Sequence, residues 1–312
     1  MSRASIVGML VAAEILIVGM ALYTLRGSAP AFGASVHGID FTAAATAPIA
    51  AGATPHVVID DRESRVRVGV SSDSLVHVRD LTQFRGAIFS SSSKYPQLRV
   101  TRTGDGVLIE RPQAGSVSMD IFGYSTQTIE VDVPSGSRLE IARCSGAEVT
   151  GIAGGVSVRS QDGSVKLADL QGTIDVASDD GSLRANNLQA DTLTLETRDG
   201  RIEADGVSVA GAHPQATLHS GDGSVHASGT FAAGGTYELS SDDGSIELRL
   251  ARDADLTIAA STGDGRILVD GNAAETDDSS QRTIRLGAGS STMKLATSDG
   301  SIRIFTNGAS VQ

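Results

Sequence analysis

Residues 176–185 read VASDDGSLRA, and a version of this stretch occurs seven times in the chain. Each copy contains one Asp-Gly pair, whose aspartates are Asp162, Asp180, Asp199, Asp222, Asp243, Asp264 and Asp299. Successive aspartates are 18 to 23 residues apart, except for a last interval of 35. A regular spacing of about 20 residues indicates structural repeats, each relying on its neighbours for a core.

The seven copies share the residue types around the Asp-Gly pair. A hydroxyl lies two residues before each aspartate, at Ser160, Ser178, Thr197, Ser220, Ser241, Thr262 and Thr297. An aliphatic follows three residues after it, at Val165, Leu183, Ile202, Val225, Ile246, Ile267 and Ile302. Another apolar residue follows two positions later, which is the period of a strand. Because of this parity, we expect the hydroxyl and the aspartate to face the inside of a corner, with glycine supplying a positive φ.

Two architectures fit such units. In a β-solenoid each unit is one coil, and equivalent strands stack in parallel about 4.8 Å apart. In an antiparallel meander the Asp-Gly pair would instead be a hairpin turn. Stacking favours like residues on like, so the similarity between units favours an all-β solenoid.

The chain before the repeats also alternates, from His56 onward. A hairpin is predicted about Gly104-Asp105-Gly106, and two strands flank Pro134-Ser135-Gly136. The segment GNAAETDDSSQRT, within the last interval, is predicted to be a surface loop. The predicted domains are a membrane anchor at 1–26, a flexible Ala/Gly/Pro/Thr tether at 27–55, an amino-terminal strand part at 56–143, the repeat solenoid at 144–306 and a tail at 307–312.

Residues 6–25 are twenty almost continuously apolar residues, enough to cross a bilayer. Arg3 at the amino-terminal end favours a cytoplasmic amino terminus, which leaves the bulk of the chain outside the cytoplasm. A cleaved signal peptide is the alternative, with small residues at Ala29 and Ala31. Glu14 lies within the apolar segment and either contacts a partner in the membrane or is simply tolerated there.

Charge and cysteine content exclude several function classes. The net charge of −12 argues against a nucleic-acid partner, which needs a Lys/Arg surface. Cys144, the single cysteine, excludes an internal disulfide and a cysteine-based zinc cluster, and is predicted to be a buried thiol. The Asp-Gly corners could bind calcium, but the nine-residue calcium repeat is absent, so a structural turn is preferred. His219 and His226 flank Asp222 and could bind zinc, although two surface histidines are the simpler interpretation.

The stretch from Thr128 to Leu188 resembles the bacterial putative-adhesin β-strand-repeat family, a domain of unknown function. The resemblance rests on strand Ile129–Val133, the Pro134-x-Gly136 turn and the serial S-x-D-G-S-V-x-L units, and it extends over about residues 56–305. It implies a β-solenoid-like fold, one amino-terminal membrane span and a repeat domain outside the cytoplasm. It supplies no catalytic residues.

No catalytic motif is present, so no catalytic, cofactor-binding or metal-binding residues are predicted. The expected function is non-enzymatic: adhesion, envelope scaffolding or interaction by a single-pass inner-membrane protein, with an unknown protein or envelope polysaccharide as partner. A secreted form is the alternative location. The alternative functions are a carbohydrate-active β-helix enzyme and an envelope-stress signalling component that uses Glu14. Some β-helix enzymes cleave polysaccharides with a few Asp, Lys or Arg residues on one face, and Arg159, Lys166, Arg198 and Arg201 are the candidates for such a face.

Overall fold

The computed structural model describes residues 35–38, 44–90, 97–112, 119–270, 272–273 and 280–308. These residues form strands and no helix. The strands are β1 (Ser35–Gly38), β2 (Ala44–Ala45), β3 (His56–Asp60), β4 (Arg65–Val70), β5 (His77–Asp80), β6 (Gln83–Ser90), β7 (Arg99–Thr103), β8 (Gly106–Glu110), β9 (Met119–Thr126), β10 (Thr128–Val133), β11 (Arg138–Cys144), β12 (Gly146–Thr150), β13 (Val156–Ser160), β14 (Val165–Ala168), β15 (Gln171–Ser178), β16 (Leu183–Asn186), β17 (Gln189–Thr197), β18 (Ile202–Val209), β19 (Gln215–Ser220), β20 (Val225–Phe231), β21 (Thr236–Ser241), β22 (Ile246–Leu250), β23 (Leu256–Thr262), β24 (Ile267–Val269), β25 (Asn272–Ala273), β26 (Gln281–Leu286), β27 (Ser291–Thr297) and β28 (Ile302–Phe305).

The strands belong to two compact units. The smaller unit contains a three-stranded sheet in the order β1-β6-β9, and β1 pairs antiparallel with β6, with Ser35 opposite Ser90. The larger unit contains the repeats. The predicted anchor at residues 6–25 lies outside the described residues, within which no helix is long and apolar enough to cross a membrane.

The larger unit is a stack of coils with two sheets. The first sheet runs β7-β8-β3-β11-β13-β15-β17-β19-β21-β27-β23-β26. The second runs β2-β5-β10-β4-β12-β14-β16-β18-β20-β22-β28-β24-β25. Pairing is parallel from β8 to β23 and from β10 to β24. This parallel stacking confirms the solenoid and excludes the meander.

The core lies between the two sheets. The aliphatics three and five residues after each corner aspartate are buried, as predicted, and stack directly on their equivalents: Val165 on Leu183, and Leu183 on Ile202. Tyr237 is also buried, where its hydroxyl donates to the Ala232 carbonyl over 2.7 Å. Alternation along each strand therefore sends one row of side chains inward and the next row to solvent.

The corner hydroxyls link each coil to the next one. All seven are at most 7% exposed, as the parity predicts. Ser220 Oγ accepts the N–H of Gly223 in its own coil at 2.9 Å and donates to the carbonyl of Gly200 in the preceding coil at 2.7 Å. Cys144 occupies the same column, opposite Ser160, and is buried. Buried hydroxyls thus satisfy corner amides and carbonyls that would otherwise lack partners.

Two details of the predicted corner are wrong. The seven aspartates are exposed, because the chain turns after the hydroxyl and the alternation does not continue through the corner. The seven corner glycines have no positive φ. Glycine is needed because the coils stack closely there: a Cβ on Gly181 would lie 2.1 Å from the carbonyl oxygen of Gly163.

The coils do not stack in sequence order at the ends of the solenoid. The coil formed by β3 and β4 lies between β8/β10 and β11/β12. The last coil, β27 and β28, lies between β21/β22 and β23/β24. Antiparallel strands cover the outer edges beyond: β7 and β26 on the first sheet, β5 and β25 on the second. The first and last coils in sequence are therefore each enclosed by a coil on both sides.

The predicted surface loop between Asp264 and Asp299 is partly a strand. Gln281, Arg282 and Thr283 belong to β26, which pairs antiparallel with β23, and Asn272 and Ala273 form β25. These residues cover the carboxy-terminal edge of the stack, which would otherwise expose unpaired backbone groups.

Candidate functional site

The outer faces of the two sheets carry polar side chains whose charges are mostly paired. Arg184 Nη2 lies 2.6 Å from Glu203 Oε2, and this contact holds the pKa of Glu203 below its usual value. Arg159 pairs with Asp175, and Lys294 Nζ lies 2.9 Å from Glu238 Oε1. The charged side chains named here are therefore neutralised by neighbours on the same face.

The four basic residues proposed for an enzyme face do not meet on one surface. Arg159 points outward from β13 of the first sheet, whereas Lys166 points outward from β14 of the second. Arg198 lies at a corner and pairs with Asp179, and Arg201 pairs with Glu203. The four residues therefore do not form the shared basic face that the enzyme hypothesis proposed.

The two histidines proposed for zinc are also placed on different sheets. His219 lies in β19, with Nδ1 2.9 Å from Ser240 Oγ, and His226 lies in β20 beyond the corner. Across the described residues, no three His, Cys, Asp or Glu side chains are grouped so that they could hold one metal ion. Cys144 is buried, which raises the pKa of its thiol.

A cleft of about 500 Å³ lies beside the second sheet, near its amino-terminal end. Three chain segments form it: residues 45–48 in and after β2, residues 70–79 from the end of β4 into β5, and Asp132 of β10. Its lining residues are Ala45, Thr46, Pro48, Val70, Ser71, Ser72, Asp73, His77, Val78, Arg79 and Asp132. The volume falls within the usual range for small-ligand sites.

The charged groups of the cleft are paired with one another. Arg79 Nη2 lies 3.1 Å from Asp132 Oδ2 and 3.3 Å from Glu130 Oε2. His77 Nε2 lies 2.7 Å from Asp73 Oδ1, and this hydrogen bond holds the pKa of Asp73 below its usual value. Asp73 also accepts the Leu75 amide, which fixes the loop. The cleft therefore offers donors and acceptors side by side in fixed positions.

Hydroxyl and apolar groups complete the lining. Ser71 Oγ is shielded from solvent and has no hydrogen-bond partner within the part of the chain that the structure describes. Val70 is 47% exposed, which is unusual for a large aliphatic among the residues that the structure describes. A ligand that combines hydroxyls with a small apolar surface would match this lining.

Sequence reasoning did not find the cleft. Its residues come from segments around 45–48, 70–79 and 132, which no motif links and which become neighbours only through the pairing of β2, β5 and β10. Exposed Val70 is the last residue of β4, and nothing in the alternating sequence of that strand distinguishes it. Neither the repeat nor any local sequence pattern predicts that these residues form a cleft.

Solved structures from three bacteria are similar to this chain at low sequence identity. No curated protein matches the chain. A solved structure of a "putative adhesin" from Bacteroides fragilis NCTC 9343 is 10% identical, with 84% of this chain and 97% of that chain covered and a TM-score of 0.46. A "putative adhesin" from Parabacteroides merdae ATCC 43184 is 10% identical, with 84% and 96% covered and a TM-score of 0.31. A "putative cell adhesion protein" from Clostridium sporogenes ATCC 15579 is 10% identical, with 85% and 98% covered and a TM-score of 0.25.

A protein-family model matches residues 57–305. That range begins in β3 and ends in β28, so it spans the interleaved coils at both ends of the solenoid. The chain belongs to the Toastrack DUF4097 family.

Proposed function

We propose that this protein is a non-catalytic, membrane-anchored β-repeat protein that binds an envelope polysaccharide outside the cytoplasm, for adhesion or envelope scaffolding. The observation that carries the proposal is the cleft, whose charges are paired in advance. A sugar hydroxyl both donates and accepts hydrogen bonds. Neighbouring sugar hydroxyls can therefore accept a hydrogen bond from Arg79 and donate one to Asp132, and they add no charge to the cleft. Val70 would contact the apolar face of the sugar ring.

The same geometry argues against the alternative of a carbohydrate-active enzyme. Glycoside hydrolysis needs one carboxyl group that stays protonated near neutral pH, because it must donate to the leaving oxygen. Asp73 is held ionised by His77, and Asp132 is paired with Arg79. The His77 contact favours the ionised form of Asp73, whereas a catalytic acid needs surroundings that raise its pKa.

If the polysaccharide binds in the cleft, substitutions of its charged residues should weaken that binding. In the full-length protein, replacing Arg79 by Gln together with Asp132 by Asn is expected to lower recovery of envelope polysaccharide by about tenfold or more, because hydrogen bonds to charged groups are lost. The measurement is pull-down from intact envelopes after crosslinking, followed by sugar analysis. Both side chains are substantially exposed, so folding should change little.

The first sheet offers a matched control pair. Arg159→Gln with Asp175→Asn removes a similarly exposed Arg–Asp pair and should leave recovery unchanged. Equal recovery by both double variants would place binding elsewhere. If periodate oxidation of the envelopes left recovery intact while protease digestion abolished it, the partner would be a protein.

The membrane anchor is supported by residues 6–25 and their flanking Arg3. We expect the mature protein to begin at or near its first residue and to resist extraction from membranes by alkaline carbonate. Amino-terminal sequencing and extraction measure both. A mature amino terminus near Phe32 would instead show signal-peptide cleavage and a secreted protein.

A further inference from the structure

The corner glycine amides fall into two groups. In five corners the glycine N–H donates to the hydroxyl three residues earlier, at 2.8 to 3.2 Å. These glycines are Gly181, Gly200, Gly223, Gly244 and Gly265. In the same corners the aspartate side chains point to solvent, so the amide hydrogen and the neighbouring carboxylate face different environments.

The two remaining corners lack this bond. Ser160 Oγ donates to the carbonyl of Gly163 over 3.0 Å, and Thr297 Oγ1 donates to the carbonyl of Gly244 over 2.7 Å. The N–H groups of Gly163 and Gly300 donate to no acceptor among the residues that the structure describes. Asp162 and Asp299 are exposed like the other corner aspartates.

An Asp-Gly sequence has a known intramolecular reaction. The glycine nitrogen attacks Cγ of the preceding, protonated aspartate: the N–Cγ bond forms, the Cγ–OH bond breaks, the amide proton is lost and water leaves. Water then opens the resulting succinimide at either carbonyl, which gives aspartate or isoaspartate. The reaction needs no other reagent, and it requires the peptide plane to rotate so that nitrogen reaches Cγ.

We infer that Asp162-Gly163 and Asp299-Gly300 are the corners that convert to isoaspartate, and that the buried hydroxyls protect the other five. A glycine amide bonded to a buried hydroxyl must break that bond before its peptide plane can rotate. Rotation also meets the preceding coil, since the space beside each corner glycine is occupied by backbone atoms. Gly163 and Gly300 are packed as closely but lack the hydrogen bond, so the hydroxyl makes the difference.

The first test uses the unaltered full-length protein. After prolonged incubation at neutral pH, peptide mapping with mass spectrometry is expected to show about two- to tenfold more isoaspartate at Asp162 and Asp299 than at the other five corners, the factor that one net hydrogen bond corresponds to. Three further Asp-Gly pairs lie outside the seven corners and are scored separately: Asp105-Gly106 in the β7–β8 hairpin, Asp205-Gly206 and Asp270-Gly271. Equal rates at all seven corners, or a maximum at one of the five, would overturn the inference.

A pair of variants tests the hydroxyl itself. Ser220→Ala removes the acceptor for the Gly223 amide, and isoaspartate at Asp222 is expected to rise to the level of Asp162. Ser220→Thr keeps a hydroxyl, as Thr197 and Thr262 do in their coils, and should behave like the unaltered protein. Indistinguishable rates in the two variants would contradict the proposed role. The comparison within the unaltered protein stands even if Ser220→Ala folds poorly.

Discussion

Replacing Arg111 by alanine is expected to lower the free energy of unfolding of the solenoid by about 3–5 kcal/mol, because it leaves two carboxylates buried without their cation. Arg111 Nε lies 2.7 Å from Asp61 Oδ2, and its Nη2 lies 3.1 Å from Asp80 Oδ2. The three side chains are 6%, 3% and 5% exposed. Ser64 and Thr82 donate further hydrogen bonds to the two aspartates.

This buried network replaces the Asp-Gly corner at the amino-terminal end of the stack. It joins three segments: the corner after β3, the end of β5 and the residue after β8. None of them contains the Asp-Gly corner that connects the coils elsewhere in the stack. Chemical denaturation followed by circular dichroism measures the effect. Arg143→Ala is the control: Arg143 binds Asp60 at 2.6 Å but is 49% exposed, so the expected loss is much smaller than for Arg111→Ala. Similar losses in the two variants would show that the network is not a stabilising centre.

The second large effect is expected from Gly181→Ala. The new Cβ would lie 2.1 Å from the Gly163 carbonyl oxygen and 2.6 Å from Ser178 Oγ, closer than real Cβ contacts allow. Two coils must separate at the corner, which strains the hydroxyl bonds between them. We expect a loss of about 3 kcal/mol or more, at the upper end of overpacking effects, measured by the same denaturation.

Gly104→Ala is the matched control for this substitution. A Cβ at Gly104 meets nothing within 4 Å, and its φ is not positive. Its stability should stay the same or rise slightly, since alanine restricts the unfolded chain. If Gly181→Ala were equally harmless, close stacking would not be the reason for glycine at the corners.

The repeat itself could be predicted from sequence because its physical cause is local. A buried hydroxyl and two buried aliphatics recur at fixed distances from each aspartate, and alternation within a short strand determines which side chains point inward. The prediction failed at the corner, where alternation ends. The aspartates point outward, and the glycines serve close packing between coils that are about 20 residues apart in sequence.

The order of the coils and the cleft could not be predicted. The unit at Asp299 satisfies the same pattern as the unit at Asp264, so sequence alone does not show that β27 lies between β21 and β23. The cleft depends on the pairing of β2 and β10 with β5, whose residues are far apart in the chain. Non-local pairings of this kind leave no periodic signal.

The interleaved terminal coils determine when the fold can be completed during synthesis. β3 is made before either of its neighbours: it has no partner until Gly106 of β8 can pair with His56, and it is enclosed on both sides only when Arg138 of β11 can do so. At the other end, β27 must enter between two strands that were made earlier. The stack therefore cannot grow one layer at a time from amino to carboxy terminus. Such distant pairings are intrinsically slow to form, so the nascent chain exposes an unpartnered first coil until more than a third of the chain has been made.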